Sequence, residues 1–137
     1  MNLVSFRPTD DLTAVTARAT ERGGILDDAY AGGWRVTAVA VCGTAYDVGG
    51  INLRQITVSP YLDATKPDAR AEVYCSKGQR LIAAGADLAD DTANTYLTWA
   101  IRSNLADTKV SADAHLNEEM GISSSADLTV YGICVPG

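Results

Sequence analysis

The chain has 137 residues and a single histidine, His115, so a metal centre built from several imidazoles is excluded. Cysteine is scarce as well. Cys42, Cys75 and Cys134 form no Cys-x-x-Cys pair, which removes zinc-ribbon and thioredoxin-like readings. Positive charge is short: 11 Lys+Arg stand against 17 Asp+Glu, a net charge of -6 and a poor footprint for nucleic acid or an anionic membrane. No apolar run approaches the ~20 residues that a membrane-spanning helix needs. The first residues, MNLVSFRPTDD, lack the basic start, apolar stretch and cleavage site of a secretory signal. The expectation is a chain made and used without the secretory route or, less simply, a fragment that begins after processing.

What is present is a globular composition, 47% hydrophobic and 20% charged, in a length that suits one domain covering residues 1–137. Alternation dominates it. In Trp34–Cys42 (WRVTAVAVC), Trp34, Val36, Ala38, Ala40 and Cys42 share one face, as side chains of period two must on a strand. The same pattern runs through Leu12–Thr20, Leu53–Ser59, Arg70–Cys75, Thr95–Arg102, Lys109–Leu116 and Asp127–Cys134. Turn formers separate these runs: Gly23-Gly24, Gly32-Gly33, Gly49-Gly50, Lys66-Pro67-Asp68, Lys77-Gly78 and Ser123-Ser124-Ser125. Leu81–Asp91 is the one stretch compatible with a helix, and Gly85 with its β-compatible neighbours weighs against it. The fold expected is all-β, an antiparallel sandwich, prism or barrel.

An internal repeat is expected too. A constant offset places Arg7 over Arg102, Thr13 over Thr108, Val15 over Val110, Ala17 over Ala112 and Ala19 over Ala114. After a short deletion, Thr37 falls on Thr129 and Cys42 on Cys134. Residues 1–42 then read as half of a unit whose complete version is 43–137. A half unit leaves sheet edges open, so either it packs on the complete unit or a neighbouring chain supplies the missing strands.

The order of motifs Trp34–Cys42, Ala71–Leu88 (AEVYCSKGQRLIAAGADL) and Asp127–Cys134 (DLTVYGIC) resembles a β-rich repeat module of actinobacterial extracellular proteins and of virion proteins of actinobacterial phages. Cys75, Gly78, Leu81, Gly85 and Ala86 fall on the module's Cys-Pro-x-Gly-x-x-Val-x-Gly-Gly-Ala motif. Trp34, Val36, Thr37, Cys42, Leu128, Thr129, Tyr131, Ile133 and Cys134 fall on its Trp-x-Val-Thr-x-Tyr-Ala-Ile-Cys motif. Ser76, Ala84 and Ala126 depart from it, replacing a proline, a glycine and a tryptophan. The resemblance implies a fold and a setting, not an activity. The phage setting suits a chain without a secretory signal better than the secreted one.

Catalytic parts are few. Ser111, Asp113 and His115 share one strand face, but at ~3.3 Å per residue the serine and imidazole stand about 13 Å apart with the carboxylate between them. A hydrolytic triad needs the imidazole in the middle, so the three read as the solvent face of a strand whose inner face is Val110, Ala112, Ala114 and Leu116. The acidic pairs Asp10-Asp11, Asp27-Asp28, Asp90-Asp91 and Glu118-Glu119, with Asp87, lack the spacing of a calcium loop and read as solvated turns. The glycine pairs open no phosphate-binding helix. No catalytic residue, metal or cofactor is therefore expected, and the chain reads as a non-enzyme.

The expected role is a structural protein of a phage virion, a capsid decoration or tail component. Its partners would be copies of itself or a capsid or tail protein, not nucleic acid or a membrane. Leu3, Val4 and Phe6 are its candidate apolar anchors, with Arg7 able to pair with a partner's carboxylate. The cysteines read either as three small buried side chains or as a Cys75–Cys134 disulfide with Cys42 left over. The alternative role is a carbohydrate- or cell-wall-binding module of a tail tip or an extracellular surface protein, with Trp34, Trp99 and Tyr96 as stacking candidates and a glycan as partner. For those aromatics, packing on strands is the first assignment.

Overall fold

A computed structural model of the chain describes residues 2–20, 35–40, 49–90, 95–98, 108–117 and 123–137. Its regular elements are strands: β1 (Asn2–Pro8), β2 (Val15–Thr20), β3 (Asn52–Val58), β4 (Tyr61–Leu62), β5 (Asp68–Tyr74), β6 (Gln79–Asp90), β7 (Thr95–Thr98), β8 (Lys109–Leu116) and β9 (Ser124–Pro136). They form two antiparallel sheets. The larger runs β2-β1-β6-β9-β3, with β4 also on β9, and the smaller runs β5-β8-β7.

The spine is the β6·β9 pair, which holds register from Gln79↔Pro136 to Asp90↔Ala126. Alanines and a glycine give β6 no intrinsic β preference, so packing decides its state. Ala86 and Leu88 alternate into the core on β6, opposite Val130 and Leu128 of β9. A bulge between Leu81 and Ala83 leaves Ile82 as the extra residue, pushed outward. On the far side of β9, β3 and β4 act as one interrupted strand. Pro60 interrupts it, having no N–H to give, yet its carbonyl still accepts from the Ala126 N–H at 3.3 Å.

The core lies between the sheets. Ala71, Val110, Ala112 and Ala114 of the small sheet meet Leu81, Ala86, Leu88, Ala126, Leu128 and Val130 of the large one. Gly132 faces the same layer: a Cβ there would stand 3.3–3.4 Å from Leu81, Val110 and Val73, so the small residue lets the sheets close. Cys75, just after β5, is joined to Cys134 in β9, so the disulfide ties the two sheets together across the core.

The internal repeat is not confirmed. Among the described residues the sequence repeat is not matched by a structural one. β2 is an edge strand whose Val15, Ala17 and Ala19 are half-buried, whereas Val110, Ala112 and Ala114 on the central strand β8 are fully buried. Arg35–Ala40, expected to pair like Asp127–Cys134, carries no strand, and Val39 is 74% exposed. Within 1–42, β1 sits between β2 and β6 in the large sheet, so the described strands of that segment add to the others, one of the two arrangements that the sequence leaves open. The helix-compatible stretch after Gly78 is strand β6.

Candidate functional site

The most organised polar surface is the outer face of the small sheet. Period two sends Ala69, Ala71 and Val73 of β5 inward, which turns Asp68, Arg70, Glu72 and Tyr74 outward. On β8 the same rule sets Lys109, Ser111, Asp113 and His115 on that face, Ser111 being buried there, and on β7 it sets Tyr96 and Thr98 on it. The register then sets them in rows: Asp68, His115 and Tyr96; Arg70, Asp113 and Thr98; Glu72 and Ser111; Tyr74 and Lys109.

The first two rows are cross-linked within themselves, and the last two are joined through Glu72. Arg70 grips Asp113 with Nε to Oδ1 at 2.6 Å and Nη2 to Oδ2 at 2.9 Å, the bidentate geometry that orients both planar groups. His115 Nδ1 lies 2.6 Å from Asp68 Oδ1, and the imidazole takes the edge of Tyr96 with ring centroids 5.5 Å apart. Lys109 donates to Glu72 at 3.1 Å, and the Tyr74 hydroxyl donates to the same carboxylate at 2.9 Å. Thr98 donates to the Asp113 carbonyl at 3.3 Å. Asp68, Ala69, Arg70, Thr98 and Asp113 border a shallow, open depression of about 540 Å³.

The electrostatics follow from the pairing. Hydrogen bonds first from Lys109 and then from Tyr74 hold the Glu72 carboxyl below its ordinary value. The Asp113 hydrogen bond raises the Arg70 guanidinium, and Glu72 raises both Lys109 and Tyr74. Elsewhere, hydroxyl and amide donors of Thr9 and Thr13 lower Asp11, and those of Thr65, with the Lys66 amide, lower Asp63. All of these shifts lead away from neutrality. A general acid or base works best with a pKa near the working pH, and these groups are driven the other way.

The second feature is an edge. β3 ends the large sheet, and among the described residues no strand pairs with its outer side. Ile56 is 41% exposed and Tyr61 61% exposed along it. Arg54, which donates to Ser76 Oγ, is the only charged residue between Asn52 and Leu62. Edges are ordinarily guarded with charge, and this one has little.

The residues singled out from the sequence are placed as follows. Val4 is buried within the chain's own fold and Phe6 is half-buried, so of the apolar anchors only Leu3, 41% exposed, remains at the surface. Arg7 lies over the Tyr131 ring, 5.8 Å from its centroid, and within 3.8 Å of Asp87. That approach depends on Gly85, where a Cβ would meet the Phe6 carbonyl at 2.5 Å. Ser111, Asp113 and His115 do share a face, but Asp113 is committed to Arg70 and His115 to Asp68. Tyr96 belongs to the small-sheet face, whereas Trp34, Trp99 and Cys42 lie outside the described residues. Sequence reasoning missed Asp68, Arg70 and Thr98. Period two marks Arg70 as outward, but it does not tell which strand lies alongside. Among the described residues no three metal-binding side chains converge, and no helix is long and apolar enough to cross a membrane.

Comparison with protein-family models, curated proteins and solved structures finds no match for the chain.

Proposed function

We propose that the chain is a non-catalytic structural protein of a phage virion, a capsid decoration or tail component that works through its β surfaces. One observation carries the reading: the β3–β4 edge, with Ile56 and Tyr61 exposed on a stretch almost free of charge. An open edge presents a row of backbone donors and acceptors, which a strand from a second chain can satisfy. Ionisable groups on the opposite sheet are locked into cross-strand pairs, which suits a rigid scaffold better than proton transfer. The motif resemblance supplies the virion setting. The partners are copies of the same chain or a capsid or tail protein, and Leu3 is the proposed apolar anchor that remains at the surface. An antibody raised against the chain tests the setting: it should label purified phage particles at the head or tail. Labelling confined to the host cell surface overturns the reading.

A further inference from the structure

We infer that the outer face of the small sheet binds a neutral sugar ring, as a unit of a longer glycan, in the depression between β5 and β7. This ligand is additional to the structural role and stands independently of it.

The chemistry of the row Arg70, Asp113 and Thr98 points to a hydroxylated ligand. A sugar hydroxyl both donates and accepts, whereas a guanidinium only donates and a carboxylate only accepts. A guanidinium and a carboxylate held side by side therefore offer adjacent hydroxyls one partner of each kind. The bidentate contact fixes both planes before any ligand arrives, so little ordering cost falls on binding. Arg70 remains 53% exposed despite that contact, open to a ligand in the depression.

Charge balance argues for a neutral ligand. Arg70 is matched by Asp113, Lys109 by Glu72, and His115 stands on Asp68. Among the described residues the face has no surplus of cations to draw a phosphate, a sulfate or a uronic acid. Its breadth argues for a polymer unit, since a site for a free small molecule encloses most of its ligand and this depression is open.

Tyr96 supplies the apolar contact. It lies two residues before Thr98 on the same face of β7, roughly 7 Å away along the strand, and in the row of Asp68, which borders the depression that Tyr96 itself does not line. Its ring is braced by the edge contact with His115, which Asp68 holds from the other side. A rigid ring next to fixed polar groups is what the C–H face of a sugar packs on.

The test titrates the intact protein, followed by amide NMR, with neutral oligosaccharides of glucose, galactose, mannose and arabinose, and with polygalacturonate as the anionic control. The expected result is saturable shifts at residues 68–70, 96–98 and 113–115 with at least one neutral oligosaccharide. Tyr96→Ala should weaken that binding tenfold or more, and Tyr96→Phe should retain it. Unchanged signals elsewhere would show that the Tyr96→Ala protein is folded, and Thr98→Val supplies a second loss-of-binding variant if it is not. Absence of shifts with every neutral probe, binding of polygalacturonate alone, or binding undiminished in Tyr96→Ala would each overturn the inference. None of these outcomes bears on whether the chain is part of a particle.

Discussion

Cys75 and Cys134 bond the residue just after β5 to the Gln79↔Pro136 end of the β6·β9 spine, their Cα atoms 5.7 Å apart, and thereby join the two sheets. The bridge closes a loop with a sequence separation of 59. Chain entropy assigns about 4 kcal/mol of stabilisation to a loop of that length. Urea denaturation of the oxidised protein and of the Cys75→Ala/Cys134→Ala variant should differ by about 2–5 kcal/mol. Equal midpoints would mean that the core alone holds the sheets together.

Core packing gives the second prediction. Leu128 is fully buried between the sheets, so Leu128→Ala should cost about 2–5 kcal/mol through lost burial and the cavity left behind. Ile56→Ala, on the exposed edge of the isolated protein, should cost far less. Chemical denaturation of both variants checks the contrast, and similar losses would contradict the placement of β3 at the border of the sheet.

Gly85 gives the third. Its missing Cβ is what allows β1 to lie against β6, since the added atom would stand 2.5 Å from the Phe6 carbonyl and 3.1 Å from the Arg7 Cα. Gly85→Ala should lower stability by about 1–3 kcal/mol, the usual cost of forcing atoms into a packed site. Ala83→Ser, two residues away and exposed, should stay within about 0.5 kcal/mol of the parent. A silent Gly85→Ala would show that β1 does not approach β6 this closely.

The ionisable pairs set the pH profile. Asp11, Asp63 and Glu72 are lowered from ordinary values of 3.8, 3.8 and 4.5. Lowered carboxyls stabilise the fold above their unfolded values, and that contribution is lost as pH falls through the folded ones. Arg70 and Lys109 are raised from their ordinary values, so their contribution is present below the unfolded values and lost only as pH rises through the folded ones. As far as these groups decide it, thermal stability should be level through neutrality and fall on the acid side below about pH 4. Melting curves across pH check this, with Asp63→Asn flattening the acid flank. Loss of stability starting at neutral pH would point to a different group.

Much of this architecture is legible in the sequence where burial imposes a clean alternation. Lys109–Leu116 is strand β8 with those bounds, because Val110, Ala112, Ala114 and Leu116 all enter the core. Asn2–Pro8 is not legible as a strand, since the irregularity between Leu3 and Ser5 shifts the phase of its pairing with β2 and breaks the period. Trp34–Cys42 misleads in the opposite direction: it alternates, yet Arg35–Ala40 forms no strand. Alternation is a condition for a half-buried strand, but a partner makes it one. The candidate site suffers the same blindness, because Arg70 meets Asp113 through a register between β5 and β8 that no local pattern records.

The account rests on association through the β3–β4 edge, and sedimentation velocity of the intact protein, alone and mixed with purified phage particles, tests it most directly. Wild type should form a complex with itself or with the particle. Ile56→Lys/Tyr61→Lys, which puts charge on the edge and spares the core, should lose that complex while keeping its melting temperature. A wild-type protein that sediments as a monomer in both settings, at every concentration reached, would contradict the account.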